Sequence, residues 1–357
     1  MTDTAILMQI LELARWAPSG DNVQSHRFEI ASPHHLVIHA RDTRADCVYD
    51  LDGHASQIAF GALLETMEIA ATAHGWAASA TRRQRAPELD GELLFDVHFN
   101  PDAGLPPHPM LPFITTRAVQ RRPMSTRPLS AQDKAALEQA AGPDYAVRWL
   151  EIRDEKWRAA RLMYRNARLR LTMPEAYEVH RRIIHWGVTH SPDRVPDQAL
   201  GADAATLRLM KWAMASWSRL SKVNALLGTW APRLQMDLLP GVLCAAHFVL
   251  QARRMPESVD DYVDAGRAVQ RFWLHLTSLG LYMQPEMTPL IFARYVNEGR
   301  RFSQLDALQA QAAELRAESE AMTCSAGRFP VYMGRLGYGP APVSRAVRKP
   351  LSELMWP

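Results

Sequence analysis

The chain has 357 residues, 41 Lys+Arg against 38 Asp+Glu for a formal charge of +3, and 47% hydrophobic against 22% charged residues. That is the make-up of a globular protein long enough for two domains or one large α/β unit, and so small a net charge argues for neither a nucleic-acid nor an acidic membrane partner. Three scattered cysteines, Cys47, Cys244 and Cys324, with no CxxC spacing, indicate neither a disulfide framework nor a zinc site and fit a reducing compartment.

Ile6, Leu7, Ile10, Leu11 and Ala14 recur at helical spacing, so residues 4–16 are expected to be a helix stopped by Pro18, Ser19 and Gly20. No basic n-region precedes it, so no signal peptide is read and a cytoplasmic location is expected. Phe28 to Ala31 and Leu36 to Ala40 read as strands around a turn at Ser32-Pro33, residues 55–74 as a long apolar helix, and Leu93 to Phe99 as a strand. Residues 100–112 are a Pro/Gly-rich linker. Ser130 is a plausible N-cap for a helix running to Ala141, followed by a strand over Tyr145 to Ile152.

Residues 154–230 read as mostly helical and Trp-rich, with a loop at 191–196. Leu243 to Gln251 reads as a buried strand, Val259 to Leu279 as a helix, and Tyr282 to Pro285 as a short extended run. A helix over 303–318, a strand over Pro330 to Tyr338 and a polar basic tail complete the chain. The best apolar run, Leu238 to Leu250, contains His247 and is too short to cross a bilayer.

Gly61 and Gly266 each sit in an apolar helix, each followed fourteen residues on by Gly75 or Gly280 and an extended run. This echo predicts two diverged copies of one α+β unit, 1–105 and 113–357, the second carrying a helical insertion at 154–235. Zinc-protease, P-loop, dinucleotide and nucleophile-elbow patterns are absent. His180 and His185 are expected on a helix surface, His34-His35 in a solvated turn, and Cys244 in the core. No metal site and no catalytic dyad can be assembled from the sequence.

One stretch carries more. Ala17-Pro18-Ser19, Asn22, Gln24, Arg27 and Phe28 resemble the APSxxNxQPWxF motif of the nitroreductase family of flavoproteins, with Ser25-His26 in place of Pro-Trp. Arg117 and Arg121 resemble the RxSxR signature of the same family, with Val119 where a hydroxyl is usual. Pro285-Glu286-Met287 looks like the family segment whose backbone faces the flavin ring, and Arg348, with Lys349 next, like its basic tail residue.

Because the two motifs lie in opposite halves, the order resembles the Acg-like single-chain branch, in which two degenerate repeats form an internal pseudo-dimer. The resemblance implies an α+β nitroreductase-like fold with one FMN site. Ser19, Asn22 and Gln24 would come from the first half, and Arg117, Arg121, Pro285, Met287, Arg348 and Lys349 from the second. It further implies flavin-mediated hydride transfer from NAD(P)H, the co-substrate in family fashion, to a small-molecule substrate, with the flavin rather than a side chain carrying the hydride. The alternative is a catalytically silent flavin-sequestering protein on the same fold. No nucleic acid and no membrane are expected as partners, and monomer or homodimer both stay open. His26 is expected to pack, and Trp186, Trp212, Trp217 and Trp230 to be core residues or a cover over the flavin.

Overall fold

The computed structural model describes residues 2–84 and 91–357. The first half runs α1 (Asp3–Ala14), β1 (His26–Ser32), β2 (His35–Arg41), α2 (His54–Ala71), β3 (Trp76–Arg83) and β4 (Glu92–Pro101). Its strands form one antiparallel sheet in the order β1-β2-β4-β3. The second half begins with α3 (Ala131–Ala141) and β5 (Tyr145–Leu150).

The insertion follows: α4 (Arg153–Thr172), α5 (Pro174–Ile183), the two-residue strands β6 (Ile184–His185), β7 (His190–Ser191) and β8 (Val195–Pro196), then α6 (Ala204–Ala213), α7 (Trp217–Leu227), α8 (Trp230–Arg233) and α9 (Leu239–Val242). The chain closes with β9 (Ala246–Ala252), α10 (Val259–Ser278), β10 (Leu281–Pro285), α11 (Thr288–Asn297), α12 (Asp306–Thr323), β11 (Phe329–Tyr338), β12 (Arg345–Ala346) and α13 (Leu351–Leu354). The second sheet is also antiparallel, in the order β10-β11-β9-β5. The fold is α+β.

Every residue of β9 is buried, because its sheet is covered on both faces. Phe248 and Leu250 pack with Phe272 and Trp273 of α10, while Val249 packs with Leu162 of α4 and Phe292 of α11. A strand covered on both sides reads as a continuous apolar run, which is how its sequence announces it. The Ser130 hydroxyl accepts from the Asp133 N–H at 3.0 Å and caps α3 as expected.

The two long helices α2 and α10 cross at their glycines. A Cβ on Gly61 would lie 1.8 Å from the Val263 carbonyl oxygen, and one on Gly266 would lie 2.0 Å from that of Ile58. Only residues without a side chain allow backbones this close.

Several expectations are corrected. Residues 288–297, left without an element, form the buried helix α11; Pro289 sits in its first turn, where its missing N–H costs nothing. The tail is not simply polar: Leu351 and Leu354 are buried, and the Trp356 N–H donates to Phe28 O at 2.8 Å, extending the edge of the first sheet. His34 and His35 are engaged, with Asp3 at 3.0 Å and Asp96 at 2.8 Å. His180 is half-buried rather than free on the helix surface: its Nε2 meets the Tyr49 hydroxyl at 2.9 Å, and burial pushes it down to about 3. Cys244 is fully buried, and all three cysteines are unpaired. Among the described residues no helix is long and apolar enough to cross a membrane.

Candidate functional site

The loop between α1 and β1 is conformationally unusual. Among the described residues, the non-glycine positions in the left-handed region are Asp21 (φ 51°), Asn22 (φ 64°) and Gln24 (φ 52°). Strain of this kind persists only where surrounding contacts over-determine it. Here they do. The Asn22 amide donates to the carbonyls of Ser191, Arg194 and Val347 at 3.1–3.4 Å. The Gln24 amide donates to Pro192 O at 2.8 Å and Asn22 O at 2.9 Å, and its oxygen accepts from the Lys349 N–H at 3.0 Å. The Ser19 hydroxyl accepts from the Gln24 N–H at 3.2 Å.

Three arginines from distant parts of the chain gather behind this loop. Arg117, 4% exposed, donates to Trp16 O at 3.0 Å and lies over the Trp273 ring at 4.3 Å. Arg348 donates to Ala17 O at 2.9 Å. Arg345 donates to Thr115 O at 2.9 Å and lies over the Trp16 ring at 5.3 Å.

Among the described residues none of the three forms an ion pair, and the Nε atoms of Arg117 and Arg345 are buried without a partner. Burial, then repulsion from Arg348 and Arg345, holds Arg117 well below the usual guanidinium range; burial and the charge of Arg345 bring Arg348 down to about 9. Buried cations with no counter-charge are costly, and an anion between them would relieve that cost.

Arg121 does not join this group. It is set beside Asp21, its Nη1 donates to Ala199 O at 3.4 Å, and burial lowers it to about 10 against the pull of Asp21. Burial raises Asp21, opposed by Arg121. The Arg121 carbonyl accepts from Arg335 at 2.9 Å, and Arg335 also donates to Glu286 at 2.7 Å. Glu286 contacts His247 Nδ1 at 2.6 Å.

This cluster anchors the segment expected at the flavin ring. Pro285 pairs with Gly334 in the sheet, the Glu286 N–H donates to Met333 O, and the Met287 sulfur accepts from the Met333 N–H at 3.4 Å. Val119 makes a bridge to Met283 and supplies no hydroxyl. His26, 6% exposed, lies tilted against the Phe28 ring at 5.1 Å and is driven down to about 3 by burial and by Arg27, Arg348 and Lys349, so it is a neutral packing residue. Trp212 and Trp230 are 54% and 60% exposed and are not core residues, whereas Trp186 and Trp217 pack half-buried on the Tyr177 cluster.

The structure therefore brings together Ser19, Asn22, Gln24, Arg117, Arg348 and Lys349, and sets Arg121, Pro285 and Met287 in an adjoining polar cluster. Arg345, Asp21, Arg335, Glu286 and His247 were not singled out as site residues. His247 and Arg335 carried a signal, each being a polar residue inside an apolar strand pattern.

The fit to FMN divides. The Arg117–Arg345–Arg348 group, with its orphaned Nε atoms, suits a phosphate dianion. The Asn22 and Gln24 amides are already satisfied by the chain's own carbonyls.

No protein-family model matches the sequence, and no curated protein matches it. Among solved structures the chain is similar to the FMN-dependent nitroreductase NfnB from Mycobacterium smegmatis in complex with NADPH, at 18% identity over 68% of this chain and 95% of that one, TM-score 0.35. It is similar to the FMN- and NADPH-dependent nitroreductase NfnB from a Sphigopyxis strain at 18% identity over 70% and 99%, TM-score 0.36. A nitroreductase with bound FMN from Bacteroides fragilis aligns at 13% identity over 65% and 89%, TM-score 0.34.

Proposed function

We propose that this chain is an FMN-binding oxidoreductase of nitroreductase type, taking reducing equivalents from NAD(P)H to a small acceptor. The observation that carries the reading is the carboxylate-free group of Arg117, Arg345 and Arg348 behind a loop that resembles a flavin-binding motif. Bound FMN would supply the hydride-relay chemistry. The chain's own residues do the rest. Three guanidiniums hold the phosphate, and Trp273 and Trp16 orient two of them. Asn22 and Gln24 pin segments 191–194 and 347–349 across the loop and fix its shape. Neutral His26 adds no competing charge beside the anion.

The same reading takes 1–105 and 113–357 as diverged copies that pair internally, with 154–235 as the insertion. Matching β1, β2, β3, β4 to β5, β9, β10, β11 turns one strand order into the other. Gly61 and Gly266 are each the eighth residue of their helix, and each abuts the carbonyl three residues before the other. Glu65 pairs with Arg271 and Thr66 with Gln270, the same reciprocal offsets on either side of the crossing. This supports a two-fold relation between the halves.

The test separates the phosphate from the ring. The expected result is that Arg117→Ala and Arg348→Ala each weaken FMN binding by about 10- to 100-fold, the worth of a charge-assisted contact. Riboflavin, which lacks the phosphate, should bind the wild type and both variants alike. Equal FMN affinity in wild type and variants removes the phosphate assignment. A bound flavin that neither NADH nor NADPH bleaches anaerobically removes the oxidoreductase part.

A further inference from the structure

The insertion carries a surface that the flavin reading does not use. From Ala204 to Met236 the sequence has five basic residues, Arg208, Lys211, Arg219, Lys222 and Arg233, and no acidic one. Among the described residues none of the five forms an ion pair, although arginines elsewhere in the chain do so repeatedly. Beside them stand bare apolar side chains: Trp212, Leu226, Leu227 and Trp230 are 54%, 84%, 57% and 60% exposed.

Helix α7 has no fully buried residue. Its inner side rests on the Tyr177 cluster through half-buried Trp217 and Leu220, and the Asn224 amide fastens it to Leu171 O at 2.8 Å. Arg233 serves as a second fastener, donating to Tyr164 O at 2.7 Å with its guanidinium over the Tyr164 ring. The other four cations stay on the exposed side. Arg219 lies over the Trp212 ring at 4.8 Å and donates to Trp212 O, so the outer faces of α6 and α7 are continuous there.

We propose that the α6–α8 insertion docks on an anionic lipid surface. Trp212, Leu226, Leu227 and Trp230 would enter the headgroup region, while Arg208, Lys211, Arg219 and Lys222 meet the lipid charges. Tryptophan and leucine beside unpaired cations, in a stretch with no carboxylate between the flanking Asp203 and Asp237, is the make-up of helices that lie in a membrane interface. The charge argues against a second copy as occupant, because a two-fold contact would bring like charges together. This is adsorption and requires no spanning helix.

The experiment mixes the full chain with vesicles of phosphatidylcholine alone or with added phosphatidylglycerol, read by co-sedimentation and tryptophan emission. The expected result is binding to the anionic vesicles only, released by salt, with a blue-shifted emission that Trp212→Ser reduces. Lys211→Gln and Lys222→Gln alter exposed, unpaired side chains, so they leave the fold intact; each should lower the partition coefficient by about fivefold.

No sedimentation at low salt overturns the proposal, as does equal binding to neutral vesicles. A concentration-dependent dimer that Leu226→Ser dissociates, without vesicle binding, would reassign the face to a second copy. Retention on polyglutamate without vesicle binding would reassign it to an acidic polypeptide.

Discussion

Gly61→Ala and Gly266→Ala should each destabilise the protein by about 3 kcal/mol or more, at the top of the range for overpacked interiors. The added methyl would meet a backbone carbonyl at 1.8 Å or 2.0 Å, not the movable end of a side chain. Helices α2 and α10 would have to move apart, and the contacts flanking the crossing would be strained: Gln270 to Thr66 at 2.9 Å and Arg271 to Glu65 at 2.8 Å. Because both methyls demand the same separation, the double variant should cost clearly less than the sum of the singles. Urea unfolding of the four proteins measures this cycle. Single costs below about 1 kcal/mol would mean that the helices slide freely, and strict additivity would mean that the two contacts are independent.

These two glycines also show what the sequence made legible. Their shared spacing to a following glycine was visible, and so was the apolar periodicity of α1, α2 and α10. The reciprocal contact was not, since it joins residues some 200 positions apart. Helix α11 escaped because Pro289 and the β-branched and aromatic residues Ile291, Phe292, Tyr295 and Val296 do not announce a helix; tertiary burial makes it one. At the candidate site the positions of Ser19, Asn22, Gln24, Arg117 and Arg348 were legible from local motif likeness. Their occupation by segments 191–194 and 347–349 was not, because no local rule brings those carbonyls to Asn22.

The exposed tryptophans failed for a different reason. Helical spacing in α6 and α7 shows that apolar residues share a face, not whether anything covers it. The near-neutral total charge concealed the local excess in 204–236, because acidic residues elsewhere offset it.

Removing the Glu286 carboxylate should be strongly destabilising. Glu286 and Arg335 are each 1% exposed and His247 is fully buried, with no water-facing route for their charges. Both ring nitrogens of His247 face acceptors: Nδ1 the Glu286 carboxylate at 2.6 Å and Nε2 the Gly241 carbonyl at 2.7 Å. A neutral imidazole has one N–H and can serve only one of them. The ring is therefore an imidazolium. Burial alone would lower its affinity for the proton, and the adjoining carboxylate overrides this and raises it to about 10. Burial opposes ionisation of Glu286 too, and His247 and then Arg335 hold it below its ordinary range.

Glu286→Ala would leave His247 and Arg335 buried without their bonded carboxylate, Asp237 being engaged by Arg170, and should cost about 3–5 kcal/mol. Glu286→Gln keeps the shape, lets His247 become neutral, and should cost less. The pH dependence distinguishes charge from packing. A raised histidine stabilises fully below its ordinary 6.5, and the gain is lost as pH rises toward 10. The lowered glutamate contributes above its ordinary 4.5, and its gain is lost only as pH falls below that.

The cluster is thus strongest between about 4.5 and 6.5, and from 6.5 to 10 it should cost the wild type at most about 1.4 kcal/mol of stability per pH unit. Glu286→Gln should flatten that slope. Denaturant midpoints of both proteins at pH 6, 8 and 9.5 read it directly. Identical slopes would show that His247 is neutral in the folded protein, and that Glu286 positions the 285–287 segment through Arg335 alone.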